Sequence, residues 1–219
     1  MKRLLSHGLA ALAITLVAGC GGGSDTPASA PGAKLATSLS YTDPTGSGWR
    51  LVKQEGSTST RIVLGLVGPS GTTSRGVGFN IDAGYGAHFG NFPDGNYAKD
   101  TGVFQLKGSN PNFEPYAGTD ADPVLFASRL KGVRTLTTGI FQKDRSYAAK
   151  ALTAPVVQIV VELDATTGLS QGAQVPLNVI KARMIPADIG GMNFTLDMET
   201  LAKAKMQDIT VEAGRLTGQ

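Results

Sequence analysis

The sequence predicts an all-β protein, an antiparallel β-sandwich with one short helix near the C-terminus, and three observations carry that expectation. From residue 39 onward the apolar segments are short and rich in β-branched residues. Turn chemistry separates them: DPTGSG at 43–48, GPSG at 68–71, KGSNPN at 107–112 and ATTGLSQG at 165–172 supply the Gly, Pro, Asn and Asp that tight turns require. Where a segment is long enough to test, it alternates with a period of two. In VGFNIDA, Val77, Phe79, Ile81 and Ala83 fall on one face and Gly78, Asn80 and Asp82 on the other.

The chain opens with residues of a different kind. Residues 1–19 carry Lys2 and Arg3, no acid, and an apolar run from Leu9 to Ala18 broken only by Thr15. That is the pattern of a secretory signal peptide, and the run is about half the twenty residues a membrane-spanning helix needs. It ends in Leu16-Val17-Ala18-Gly19-Cys20, with the one Cys of the chain at the last position. This ending resembles the lipobox of bacterial lipoproteins, which implies that Cys20 is acylated and becomes the new N-terminus. At about 0.8 kcal/mol per buried CH₂, such chains would hold the protein on a lipid membrane. Gly21 stands where the resemblance would put Asp for inner-membrane retention, so the expected location is the cell envelope, at the outer membrane.

Residues 21–36, beginning GGGSDTPASAPGAK, have no hydrophobic periodicity and read as a flexible tether behind Cys20. Residues 37–219 suit a single domain. Its expected strands are Leu39–Tyr41, Trp49–Lys53, Arg61–Val67, Val77–Ala83, Val103–Leu106, Val124–Leu130, Val133–Phe141, Val156–Leu163, Val175–Ile185 and Ile209–Leu216. In VVQIVVELD, Val157, Ile159, Val161 and Leu163 point inward while Gln158, Glu162 and Asp164 point out. Val156 and Val160 make the outer face partly apolar as well, which suits a central strand. DMETLAKAKM, at Asp197–Met206, is the expected helix, with Met198, Leu201, Ala202 and Lys205 spaced by three and four.

Counting excludes several functions. Removal of the leader leaves 18 basic residues against 17 acidic ones, so no basic footprint for nucleic acid survives. One Cys and two His rule out a disulfide framework and a Cys/His zinc cluster. No phosphate loop, dinucleotide fingerprint or nucleophile elbow is present.

The order of parts over about 76–216 resembles cohesin-like modules and related carbohydrate-binding β-sandwiches. The carriers are Gly-Val-Gly-Phe-Asn-Ile at 76–81, the segment Gly132 to Phe141, Val156 to Asp164, Pro176 to Ala182, and the closing Asp208-Ile-Thr-Val-Glu-Ala-Gly-Arg-Leu216. The resemblance implies a sandwich fold and a binding role, with no functional residue carried over.

Seven of the fourteen aromatic residues, Tyr85, Phe89, Phe92, Tyr97, Phe104, Phe113 and Tyr116, lie in the 33 residues 84–116, among Gly, Asn, Pro and Asp. Rigid rings on Gly-rich loops suit a protein partner or a glycan, and an insert of this length also buries rings to hold itself in place. The expected function is a membrane-anchored, non-catalytic module binding an envelope protein or glycan, with Tyr85, Phe89, Phe92, Tyr97, Phe113 and Tyr116 as contact candidates. A scaffold component of an envelope or secretion assembly is the first alternative. The second is a hydrolase using Asp120, Asp122 or Glu162. No cofactor is expected; Asp120 and Asp122 in GTDADP are weak candidate calcium ligands. His88, in GYGAHFGNF, reads as a loop residue rather than a catalytic base.

Overall fold

The computed structural model describes residues 32–104, 124–142, 148–188 and 206–219. All regular structure among them is strand. The first half holds β1 (Leu39–Thr42), β2 (Trp49–Lys53), β3 (Arg61–Val67), β4 (Thr73–Ala83), β5 (Ala87–Gly90) and β6 (Ala98–Asp100). The second holds β7 (Val124–Lys131), β8 (Thr135–Gln142), β9 (Lys150–Ala151), β10 (Val157–Leu163), β11 (Gln174–Val175) and β12 (Leu177–Pro186). The chain closes with β13 (Gln207–Ile209), β14 (Val211–Glu212) and β15 (Arg215–Gly218). The helix expected at Asp197–Met206 lies outside the described residues except for Met206, which belongs to no regular element.

One six-stranded sheet runs β14-β2-β3-β10-β5, with β6 also on β10; a second runs β13-β12-β4-β8-β7, with β9 on β4; β1-β15-β11 forms a third, smaller sheet. Every pairing is antiparallel except β14 with β2. The inner faces of the two large sheets share one core: Leu51, Ile62, Leu64, Ile159 and Val161 from the first pack in the same cluster as Phe79, Ile81, Leu136 and Ile140 from the second. Burying a side chain of this size contributes about 1.5–3 kcal/mol. The alternation read from VGFNIDA holds, with Val77, Phe79, Ile81 and Ala83 all buried. β10 is central as expected, between β3 on one edge and β5 and β6 on the other, and Val160 on its outer face is buried.

Four expectations are corrected. Residues 102–104 form a turn where the strand Val103–Leu106 was expected, and Phe104 is buried without one. The stretch Val175–Ile185 breaks at Pro176, which has no N–H to give a ladder. The single closing strand becomes three, β13, β14 and β15, each in a different sheet. His88 is not in a loop: it lies on β5, paired with Glu162 of β10.

Within β12 the register against β4 slips between Val179 and Lys181, leaving Ile180 as a bulge. The slip has a consequence for the surface. Val179 faces Ile81, and after the bulge Lys181 faces Asn80 while Ala182 faces Phe79. An unbroken strand would turn Lys181 inward; the extra residue puts Lys181 and Arg183 outside and Ala182 and Met184 in the core.

Candidate functional site

The outer face of the β13-β12-β4-β8-β7 sheet carries a concave surface. Register fixes three parallel rows across β12, β4, β8 and β7. The middle row is Arg183, Gly78, Gly139 and Ala127. On one side lies Lys181, Asn80, Thr137 and Arg129. On the other lies Ile185, Gly76 and Phe141. Because Gly78 and Gly139 face each other with no side chains, the middle row is a floor of bare backbone. The result is a trough of about 390 Å³, to which Met206 also contributes.

The spacing of strands and residues sets its size. Four strands about 4.8 Å apart give a length of about 14 Å, and the flanking rows, four residues apart along each strand, stand about 14 Å from one another. A methyl group at Gly76 would overlap the Cβ of Phe141, so that glycine is what lets the Phe141 side chain close the apolar side. At Gly139 an added Cβ would lie 3.3 Å from Gly78 Cα and 3.4 Å from the Val77 carbonyl oxygen, a tight fit that requires the β4 backbone to give by a few tenths of an ångström. Gly78 and Gly139 both lie at ordinary negative φ.

Cations dominate the polar side. The Arg183 Nε donates to Asp208 Oδ1 at 2.7 Å across the β12–β13 pair. That bond, the Arg183 charge and the Lys181 charge hold the Asp208 carboxyl below the usual carboxylate range.

The opposite sheet carries a different cluster. Arg61 Nη1 donates to Glu162 Oε1, Arg61 Nη2 donates to the Asn91 carbonyl at 2.6 Å, and His88 Nε2 stands 3.4 Å from Glu162 Oε2. Asp164 accepts from the Thr166 hydroxyl at 2.6 Å, a bond that chiefly lowers its pKa. Glu162 and Asp164 are therefore each engaged by neighbours. Among the described residues no three His, Cys, Asp or Glu side chains gather as a metal site.

The aromatic candidates divide. Phe89 and Phe104 are core residues, 2% and 0% exposed, with no face left for a partner. Tyr97 is partly buried against the same core. Tyr85 donates its hydroxyl to the Thr167 carbonyl and lies under the Arg134 guanidinium, 5.5 Å from ring centroid to carbon. Phe92 closes a small loop through backbone bonds to Asn96 and Gly95. Phe113, Tyr116, Asp120, Asp122 and Cys20 lie outside the described residues.

Sequence reasoning passed over the trough, although two signals mark it. Gly78 occupies an outward position in VGFNIDA, and in LNVIKARM the apolar positions change phase from 177 and 179 to 182 and 184, the mark of a bulge.

A β-sandwich with one open, glycine-floored sheet face is the class these features define. No family model matches the chain, and no curated protein matches it. Several solved structures are distantly similar, among them two cohesins. The sixth cohesin of scaffoldin B from Acetivibrio cellulolyticus, in complex with a mutant Cel5 dockerin, is 9% identical, with 78% of this chain and 96% of that one covered at a TM-score of 0.42. A cohesin module from a family 33 glycoside hydrolase of Clostridium perfringens is 9% identical, with 80% and 98% covered at 0.36. At those values the likeness lends no support to any particular ligand.

Proposed function

We propose that the chain is a lipid-anchored, non-catalytic binding protein of the bacterial envelope, tethered through Cys20 and engaging a macromolecular partner across the trough of the β13-β12-β4-β8-β7 sheet. The observation that carries the binding reading is the facing pair Gly78 and Gly139. Two adjacent strands forgo side chains at the same level on an outward face, which weakens each strand and leaves backbone open to close approach. The engaged state of Glu162 and Asp164 favours binding over hydrolysis.

The anchor and the trough have separate tests. Metabolic labelling with a fatty-acid analogue should mark the wild type, and Cys20→Ser should lose both label and membrane retention at high salt; retention by the variant contradicts the anchor. Gly139→Val fills the trough at its floor, against a β4 backbone that must give by a few tenths of an ångström. With folding of the variant checked by circular dichroism, capture of a partner from solubilised membranes should fall at least tenfold per folded molecule. Unchanged capture would remove the trough from the account.

A further inference from the structure

We propose that the trough accepts a segment of a partner protein that carries carboxylates beside an apolar side chain. This rests on the trough being the contact surface and adds the chemistry of what it contacts. Three cations line the trough, Arg129, Lys181 and Arg183, and no acid does. Lys181 and Arg129 stand at opposite ends of one row, on β12 and β7, about 14 Å apart by strand spacing. Both are exposed.

Of the three, Arg183 is paired, and Lys181 and Arg129 remain for a partner. Asp208, on the β13 edge, is held by Arg183. Asp82, one row further along β4, accepts from the Thr135 hydroxyl at 2.6 Å. Asp208 is itself a sample of the chemistry: an exposed carboxylate brought to the β12 rim and held there by Arg183. The far end, at Arg129, has no such carboxylate paired with it among the described residues, so Arg129 and Lys181 are the charges the trough lining offers.

The opposite wall is apolar: half-buried Phe141 and exposed Met206 offer the contact surface, and Ile185, 2% exposed, lies beneath them. A polyanionic glycan would answer the cations and leave this wall wet. A purely apolar segment would fill the wall and bring no charge to Arg129 and Lys181. A protein segment with Asp or Glu on one side and Leu, Ile or Phe on the other satisfies both, and charge complementarity then fixes its direction across the strands.

The test selects random peptides displayed on phage against the full-length chain. The enriched pool is then measured on wild type, on Gly139→Val and on the doubly reversed variant Arg129→Glu, Lys181→Glu, whose exposed sites leave the core untouched. The proposal expects a pool rich in Asp and Glu next to apolar residues. Its binding should fall about tenfold between about 0.05 and 0.5 M salt, at least tenfold on double charge reversal, and be lost in Gly139→Val. A pool without acidic bias that still requires Gly139 overturns this inference and leaves the trough reading standing. An acidic pool indifferent to Gly139→Val overturns both. Failure to enrich any peptide overturns the inference. So does polygalacturonate binding as tightly as the pool with the same sensitivity to both variants, or an intramolecular cross-link from Thr137 to residues 189–205, which would assign the trough to the chain's own segment.

Discussion

Tyr41 offers a sharp test of how the sheets are joined. Its ring is 8% exposed, and its hydroxyl sits where the small sheet meets a large one. The hydroxyl donates to the Leu51 carbonyl of β2 at 2.9 Å and accepts from the Gly214 N–H, between β14 and β15, at 2.7 Å. Tyr41→Phe keeps the ring and leaves both backbone groups without this partner. A buried polar group left unmatched costs about 1–3 kcal/mol; with the carbonyl buried and the N–H partly so, the expected loss is about 2–3 kcal/mol at pH 7. Burial pushes the Tyr41 phenol up to about 12, partly opposed by the Gly214 N–H and assisted by the Asp43 charge. In the unfolded chain the phenol ionises near about 10. The folded state therefore keeps a proton that the unfolded state releases. Stability from this group is fully present below about pH 10 and is lost as pH rises towards about 12, by about 3 kcal/mol in all. Urea unfolding followed by fluorescence of Trp49, the one tryptophan, gives both quantities. Wild type should exceed Tyr41→Phe by about 2–3 kcal/mol at pH 7, and the gap should close between pH about 10 and 12. A gap under about 0.5 kcal/mol at neutral pH, or one constant through that range, would refute the reasoning.

Two further outcomes follow from burial. Phe79→Asp and Val161→Asp, at 3% and 0% exposure, should each abolish cooperative unfolding in circular dichroism, because an unpaired charge enters the shared core. Asn80→Asp and Gln158→Glu, on the outward faces of the same strands, should cost under about 1 kcal/mol in the same measurement; comparable damage at all four positions would contradict the two-faced assignment. Phe89→Ala and Phe104→Ala should each cost about 3–5 kcal/mol in urea unfolding, as fully buried rings do, without changing partner capture per folded molecule.

Strand identity was legible wherever alternation was strong. Val77 to Ala83 and Val157 to Leu163 declare their inner faces by period, and both lie in the core. The closing stretch Asp208 to Leu216 was not legible as three strands, because the switch between sheets depends on partners far away in sequence: Arg183 for Asp208, Trp49 for Val211, Tyr41 for Leu216. β5 and β6 escaped notice because Ala87-His88-Phe89-Gly90 and Ala98-Lys99-Asp100 have little strand propensity and gain their place by pairing with the edge of β10. The aromatic cluster drew attention away from the trough. An aromatic ring is conspicuous in sequence whether it packs or binds, and Phe89 and Phe104 pack. The trough is made by side chains that are missing, and only the register of β4 against β8 brings Gly78 and Gly139 together.

Photo-cross-linking from the trough and from the far end of β2 in intact cells measures the proposed binding function most directly. A photoreactive residue replaces Thr137 on the trough rim in one chain and Lys53 at the end of β2 in another, both exposed positions. The account predicts a discrete adduct with a partner protein from position 137, absent from position 53, and lost when Gly139→Val is added to the first chain. An adduct from position 137 that survives Gly139→Val, or one obtained only from position 53, would contradict it.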